Sequence, residues 1–113
     1  MKKISRGEVW IVDLNPVRGH EQAGKRPALI ISVDLFNQSP SGLIVVLPIT
    51  SKYKGIPFHV EVNPPEGGLT VQSFIKCEDV RSISVERLTN KLGIVSQQIL
   101  VEVEERLKIL MGL

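Results

Sequence analysis

Side chains that can bind phosphate and move protons are concentrated in residues 15–26. This segment contains His20 and Glu21 and ends on the basic pair Lys25 and Arg26. A guanidinium can bind phosphate through two N–H donors, and an imidazole with a pKa of about 6.5 can exchange a proton at neutral pH. The segment is a candidate site for an anionic substrate, although a surface Arg26–Glu21 pair and a solvent-exposed His20 would explain the same residues.

Residues 19–26 nearly match a nucleotide-binding loop. They fit the pattern G-x-x-x-x-G-K-[ST] except at the last position. That position needs a hydroxyl to bind magnesium, and Arg26 has none. The loop must also open a helix whose N-terminus faces the phosphates, whereas Pro27 and a β-type apolar run follow here. The sequence therefore excludes a P-loop.

Three polar residues elsewhere in the chain complete a possible site for RNA cleavage. Thr50 follows a strongly apolar run, and Lys76 and Glu78 are two apart on a predicted strand, on the same face. Each also has an ordinary explanation, as a β-forming threonine and a solvated ion pair. Beside His20 and Arg26, Lys76 and Glu78 would supply the base, cation and polariser that attack by a substrate 2′-hydroxyl requires. The Thr50 hydroxyl could donate to a phosphate oxygen.

This chemistry needs no metal ion or cofactor, because the substrate supplies its own nucleophile. The lone Cys77 and the widely separated His20 and His59 do not form a metal-ligand set. His59 shares a face with Glu61 on an alternating stretch, which predicts a surface residue without a role.

The residues around these candidates predict a mainly β chain. Alternating or continuous apolar runs indicate strands, and Pro27 holds Arg26 in an extended conformation before a strand that begins at residue 28. The predicted strands cover residues 8–14, 28–33, 43–49, 58–62 and 73–78. Five or more short strands separated by turn residues indicate a small curled barrel.

The last segment has a helical period. Its apolar stripe is predicted to pack on the sheet, although such a helix can also contribute to a dimer contact. The stripe comprises Leu100, Val103, Leu107 and Leu110, Ser96 is a candidate N-cap, and Glu102–Arg106 and Glu104–Lys108 are i,i+4 pairs.

Composition is consistent with one cytoplasmic domain over residues 1–113. The chain is 42% hydrophobic and 23% charged, which is enough for a core. No apolar run suggests a membrane span or a signal peptide. The net charge of +2 is uneven, because residues 1–57 carry eight bases and four acids (+4) and residues 58–113 carry six bases and eight acids (−2).

Five motifs together resemble the MazF/PemK (Kid) toxin family. They lie in family order at residues 6–10, 16–27, 48–50, 54–58 and 79–83, and the second contains the element G-x-E-x-x-G-x-R-P. The resemblance implies a homodimeric SH3-like (CcdB/PemK-type) barrel with a C-terminal α-helix, acting as the toxin of a type II toxin–antitoxin pair. It implies metal-independent, sequence-selective cleavage of single-stranded RNA, chiefly mRNA, which inhibits translation and growth. The expected products carry 2′,3′-cyclic phosphate and 5′-hydroxyl ends.

The resemblance also assigns catalytic roles. The family's catalytic Arg and Thr correspond to Arg26 and Thr50, and we expect Arg26 to stabilise transition-state charge, since its pKa above ~12 makes it a poor acid or base. The proton chemistry of the Kid branch falls on His20, Lys76 and Glu78. Lys76 replaces an Arg and Glu78 replaces an Asp, so bidentate phosphate binding is lost and the carboxylate reaches one methylene further.

Further positions are candidate RNA contacts. Asp79 stands where the family commonly has Gln, and Lys52, Tyr53 and Lys54 either touch substrate or form a loop without a role. The RNA-binding set is Glu21, Lys25, Lys52, Tyr53, Lys54 and Asp79.

The expected protein partner is a MazE-like antitoxin with an acidic tail. The basic first half of the chain, residues 1–57, is the expected binding surface for that tail. Operator DNA is expected only as a target of the toxin–antitoxin complex. Two other classes remain open: a non-catalytic CcdB-like poison that binds DNA gyrase, and an SH3-like interaction module.

Overall fold

The apolar runs form strands in the computed structural model, which describes residues 3–14 and 24–113. Within these residues there are seven strands: β1 (Glu8–Asp13), β2 (Lys25–Ile30), β3 (Leu43–Thr50), β4 (His59–Val62), β5 (Ser73–Lys76), β6 (Arg81–Ser84) and β7 (Leu88–Ile94). Two α-helices are α1 (Asp34–Asn37) and α2 (Gln97–Met111), and short 3₁₀ turns cover Glu66–Gly68, Cys77–Asp79 and Val85–Arg87. The predicted mainly β fold with a C-terminal helix is confirmed.

All strand pairs are antiparallel, in the order β4-β5-β3-β2-β1-β7. The long β3 is the centre of the sheet. One of its edges pairs with β2, while the other pairs with β6 along Leu43–Val46 and with β5 at Ile49 and Thr50. Because two strands share one edge of β3, the sheet divides there into two parts.

The two faces of the sheet bury separate apolar clusters. Leu29, Leu47 and Ile49 belong to one cluster, which α2 covers with Ile99, Leu100 and Val103. Alternate residues of the same strands point the other way, and Ala28, Ile30, Ile44 and Val46 pack there with Trp10 and Val12. The predicted burial on both faces is confirmed for residues 28–30 and 46–49, whereas Val33 and Leu43, at the ends of the predicted runs, are exposed.

Several strand boundaries differ from the prediction, among them the end of β2, which lies at Ile30 rather than at residue 33. β2 begins at Lys25 rather than residue 28, because Lys25 and Arg26 pair with Asp13 and Val12 of β1. β5 ends at Lys76, and Cys77–Asp79 turns away as a 3₁₀ helix. The expectation that Lys76 and Glu78 share one strand face was therefore wrong.

Helix α2 begins as predicted and differs at its far end. The Ser96 Oγ accepts a hydrogen bond from the Ile99 N–H at 3.3 Å, which confirms the N-cap. Leu110 is exposed rather than packed on the sheet. The helix ends before Gly112, whose φ of 71° favours glycine.

In the two predicted i,i+4 pairs, Glu104 and Arg106 contact other groups instead, and Arg106 Nη1 donates to the backbone carbonyl of Glu102 at 3.2 Å rather than to its carboxylate. Glu104 accepts from the Arg6 guanidinium at 2.6 Å, and Arg106 donates to the Pro57 carbonyl at 3.1 Å. Arg6 also donates to the Ile31 carbonyl at 3.0 Å, so the segment before β1 ties the end of β2 to α2. The described residues contain no helix that is both long and apolar enough to cross a membrane.

Glu8 is a buried carboxylate at the start of β1. It accepts hydrogen bonds from the Ser5 N–H at 3.0 Å and the Trp10 Nε1 at 2.9 Å, and it pairs with the Lys91 Nζ at 2.9 Å. Burial alone would raise the pKa of Glu8, but the Ser5, Lys91 and Trp10 hydrogen bonds and the Lys91 charge outweigh it and lower the pKa below 4.5. The ionised carboxylate therefore stabilises the junction of β1 and β7.

Replacing Glu8 with Gln should lower the free energy of unfolding at pH 7 by about 1–3 kcal/mol, because charged hydrogen bonds are lost. A lowered folded-state pKa stabilises above the unfolded value and loses that effect as pH falls through the folded value. The difference between Glu8→Gln and the unsubstituted protein should therefore shrink below pH 4.5. Urea unfolding from neutral to acidic pH measures it, and a pH-independent difference would contradict an ionised Glu8.

Candidate functional site

The β2–β3 ladder brings Arg26 and Thr50 to the same place. Its register pairs Ala28 with Pro48, and Arg26 and Thr50 each lie two residues further along in the antiparallel direction. Both line one cavity of about 340 Å³. Arg26 and Thr50, which come from separate segments of the sequence, therefore line the same concave surface.

The Thr50 hydroxyl is well placed to donate a hydrogen bond. It is the last residue of β3 and only 8% exposed, and its Oγ1 accepts a hydrogen bond from the Lys52 N–H at 3.2 Å. Because the oxygen accepts in this contact, its O–H remains able to donate a hydrogen bond to a further acceptor. A polar group held in this way at a cavity rim can bind a phosphate oxygen.

One wall of the cavity is held by contact between two backbones. Residues 68–71 line the cavity, and Gly68 lies directly against β7. A Cβ at Gly68 would lie 2.0 Å from the Leu92 carbonyl oxygen, and one at Gly93 would lie 2.7 Å from the Gly68 nitrogen. The φ of Gly68 is also +71°, so both the space and the backbone conformation require glycine.

An exposed aromatic ring stands beside Thr50. Phe74 of β5 pairs directly with Thr50, and the Tyr53 ring meets the Phe74 ring edge-on with centroids 5.6 Å apart. The Tyr53 side chain is 76% exposed, and its neighbours Lys52 and Lys54 are also exposed. Aromatic faces and nearby cations are features that bind single-stranded nucleic acid.

His59 is a residue whose position the sequence analysis missed. It is buried, which makes the predicted surface placement wrong, and its Nε2 lies 2.9 Å from Glu78 Oε2. Its Nδ1 is also buried and has no hydrogen-bond partner among the residues that the structure describes. Glu78 is 19 positions further along the chain, so local alternation gave no signal of the contact. A buried polar atom without a partner is unusual in native proteins.

Lys76, Asp79 and Arg81 form an ion cluster next to this pair. Lys76 lies opposite His59 in the β4–β5 ladder. Its Nζ is 3.6 Å from Asp79 Oδ2, and the Arg81 Nη2 donates to both Asp79 oxygens at 2.7 Å. Asp79 therefore holds two cations instead of facing solvent alone.

Strand β5 connects the cluster to the Arg26–Thr50 cavity. Phe74 pairs with Thr50, and Lys76 is two residues further on, so alternation places Phe74 and Lys76 on one face of β5. Lys25 is an exposed residue of β2 next to Arg26. The remaining predicted site residues, His20 and Glu21, lie outside the described residues.

Cys77 does not contribute a nucleophile. Burial, opposed by the Arg106 charge and reinforced by Glu78, raises the pKa of its thiol to about 12. The thiol is therefore protonated at neutral pH, and only the thiolate is strongly nucleophilic. The described residues also contain no group of three or more His, Cys, Asp or Glu placed to hold a metal ion.

Comparison with known sequences identifies one family. Residues 5–111 match the family described as PemK-like, MazF-like toxin of type II toxin–antitoxin systems. The protein named endoribonuclease MazF9 of Mycobacterium tuberculosis is 40% identical over 111 residues, which cover 94% of each chain. Endoribonuclease EndoA of Bacillus subtilis is 34% identical over 111 residues, covering 97% of this chain and 96% of EndoA.

Solved structures agree with this result. MazF from Deinococcus radiodurans superposes with a TM-score of 0.88 at 31% identity, and the match covers 100% of both chains. A MazE–MazF structure from the same organism matches with a TM-score of 0.82 at 30% identity, covering 100% of this chain and 99% of that one. The predicted PemK-type barrel with a C-terminal helix is confirmed.

The Gly68 contact can be tested with two alanine substitutions. Gly42 has a similar φ of +69° but nothing within 4 Å of a Cβ, so Gly42→Ala measures the backbone cost alone, about 1–2 kcal/mol. Gly68→Ala should cost at least a further ~1–3 kcal/mol, because the added methyl group meets the Leu92 carbonyl. Urea unfolding measures both, and equal losses would contradict the close backbone contact.

Proposed function

The chain belongs to the family of PemK-like, MazF-like toxins of type II toxin–antitoxin systems, and we propose that it cleaves single-stranded RNA without a metal ion. It is an endoribonuclease of MazF type, as its relatives are named. The observation that supports this proposal best is the cavity that Arg26 and Thr50 line together. The scissile phosphate would bind there, and the 2′-hydroxyl of the preceding nucleotide would attack it.

Arg26 and Thr50 would stabilise the reacting phosphate. As the 2′-oxygen attacks, negative charge grows on the non-bridging oxygens, and fixed donors aimed at them lower the barrier. The Arg26 guanidinium stays charged throughout, so its contribution is electrostatic. The Thr50 hydroxyl donates a hydrogen bond to one of these oxygens.

Two proton transfers complete the reaction. Among the candidate site residues that the structure describes, Glu78 would accept the 2′-hydroxyl proton. The His59 Nε2 would hold the Glu78 Oε2 in place. His20 would give a proton to the leaving 5′-oxygen, and Lys76 would stabilise charge nearby. Breaking the bond from phosphorus to the 5′-oxygen then leaves a 2′,3′-cyclic phosphate and a 5′-hydroxyl.

Single-stranded RNA suits the remaining surface. Tyr53 is exposed beside Phe74 and offers a ring to a splayed base, while Lys25, Lys52 and Lys54 can meet phosphates. Glu21 would contact RNA from the loop, and Asp79 would lie beside the RNA backbone in the ion cluster. These contacts would make cleavage selective for a short sequence and so reduce translation and growth.

We also propose an antitoxin partner. Similar solved structures include MazE–MazF of Deinococcus radiodurans and a mycobacterial endoribonuclease in complex with its cognate antitoxin. An acidic MazE-like tail would cover the basic first half of this chain, as charge complementarity favours. The toxin would act as a homodimer in the cytoplasm and meet operator DNA only as part of the toxin–antitoxin complex.

Arg26→Ala should reduce kcat/KM for single-stranded RNA by about 10²–10³, as loss of one transition-state donor typically does. Thr50→Val should reduce it in the same way, since it keeps the side-chain shape and removes the hydroxyl. The assay contains EDTA, and the product ends are identified as cyclic phosphate and 5′-hydroxyl. Lys108→Ala, at an exposed helix position, is the control for loss of a cation.

Unchanged scission by both Arg26→Ala and Thr50→Val would refute this site. Intact RNA together with binding to DNA gyrase would instead support a CcdB-like poison. Intact RNA without gyrase binding would support an interaction module.

His59→Phe should lower kcat about tenfold with little change in KM, because Glu78 loses the group that holds it and substrate contacts persist. His59→Gln, which keeps a side-chain donor, should recover part of the loss. Steady-state kinetics with thermal unfolding of both variants separates positioning from misfolding. A kcat loss that follows stability alone would contradict the positioning role.

A further inference from the structure

Asp79 occupies the space between two cations where a phosphate would bind. Its carboxylate accepts from the Arg81 Nη2 at 2.7 Å and lies 3.6 Å from the Lys76 Nζ. The side chains of Lys76, Asp79 and Arg81 are 20%, 26% and 15% exposed, so solvent screens them only in part. A lysine and an arginine converging on one anion form an anion site, and its occupant here belongs to the chain itself.

The formal charges of the ion cluster are balanced by its neighbour Glu78. Lys76 and Arg81 contribute +2, Asp79 contributes −1, and Glu78 contributes a further −1. An approaching polyanion therefore gains little net attraction from these four side chains. A substrate phosphate that uses Lys76 as a counter-ion competes with Asp79 for it.

The contacts of Asp79 are of a kind that a phosphate can replace. Both oxygens accept from one Arg81 nitrogen, which is not the parallel two-nitrogen geometry of the strongest arginine pairs. The distance of 3.6 Å to Lys76 is too long for a hydrogen bond. A phosphate offers more oxygens and more charge than this carboxylate.

We propose that Lys76 and Arg81 form a phosphate subsite for the RNA backbone and that Asp79 closes it as an internal competitor. The proposal rests on the ribonuclease function above and assigns Asp79 a competing role at that site. The chain runs from Lys76 through the 3₁₀ turn Cys77–Asp79 and Val80 to Arg81. Asp79 is therefore held close to both cations by the local course of the chain, and it occupies this position before any RNA binds.

Asp79→Asn tests this proposal, because it keeps the side-chain shape and removes the charge. The probe is a 2′-O-methylated RNA, which has no nucleophile and cannot be cleaved. Asp79→Asn should bind it about tenfold more tightly, and its plot of log affinity against log salt should be steeper by about 0.7, the value for one further phosphate contact on a single strand. Fluorescence anisotropy across a salt series measures both quantities.

Glu61→Gln is the matched control. Glu61 is an exposed carboxylate of β4 that accepts from the Asn63 and Gln72 amides at 3.0 Å. No cation among the described residues pairs with it, so its loss removes a charge without releasing a cation. We expect less than about a twofold change in affinity and no change in slope. Equal effects of Glu61→Gln and Asp79→Asn would overturn the proposal, as would weaker binding by Asp79→Asn.

A second background tests whether the gain depends on Lys76. In Lys76→Gln, adding Asp79→Asn should give little further affinity, since the released cation is absent. An undiminished tenfold gain there would overturn the subsite.

Inorganic pyrophosphate separates this proposal from the ribonuclease function. If no variant cuts RNA while Asp79→Asn binds both the 2′-O-methylated RNA and pyrophosphate more tightly than the unsubstituted protein, the ribonuclease proposal fails and the subsite stands. If RNA is cleaved and Asp79→Asn changes neither affinity, the ribonuclease stands and the subsite falls. Nuclear magnetic resonance titration reports pyrophosphate binding, and absence of all binding would overturn both.

Discussion

The site depends on the register of the β2–β3 ladder. Arg26 and Thr50 are 24 positions apart in the chain, and only the pairing that sets Ala28 opposite Pro48 brings them to one cavity. A slip of one residue would turn one of the two to the other face of the sheet. Leu29 and Leu47 pair with each other and are fully buried, so the core penalises such a slip. The energy that fixes the candidate catalytic geometry thus comes mainly from apolar packing outside the site.

The same sheet extends this geometry to the charged residues. In β5, Phe74 pairs with Thr50 of β3 and Lys76 pairs with His59 of β4. Strand β5 therefore places the Phe74 ring next to Thr50 and the Lys76 ammonium next to His59. The polar groups on this side are already engaged with one another, His59 with Glu78 and Asp79 with Arg81. Under the proposed phosphate subsite, substrate binding would exchange these internal partners for RNA phosphates.

The sequence predicts elements better than it predicts partners. The run before Thr50 was apolar enough to place it at a strand end, and the helical period with Ser96 located α2. The start of β2 was missed because Lys25 and Arg26 are polar and are extended by pairing with β1. The burial of His59 was missed because its partner lies beyond a turn that local alternation does not reveal. The pairing of Asp79 with Arg81 likewise follows from the 3₁₀ turn after β5.

The backbone contact between Gly68 and Gly93 shapes one wall of the cavity, and the exposed side chains on that wall are not part of the contact. It fixes the path of residues 68–71 without any side chain at the point of contact. Thr70 and Val71 are exposed, line the cavity and do not take part in this contact. If RNA binds in this cavity as proposed, substitutions at these two positions would alter which nucleotides fit without disturbing the backbone contact that shapes the wall.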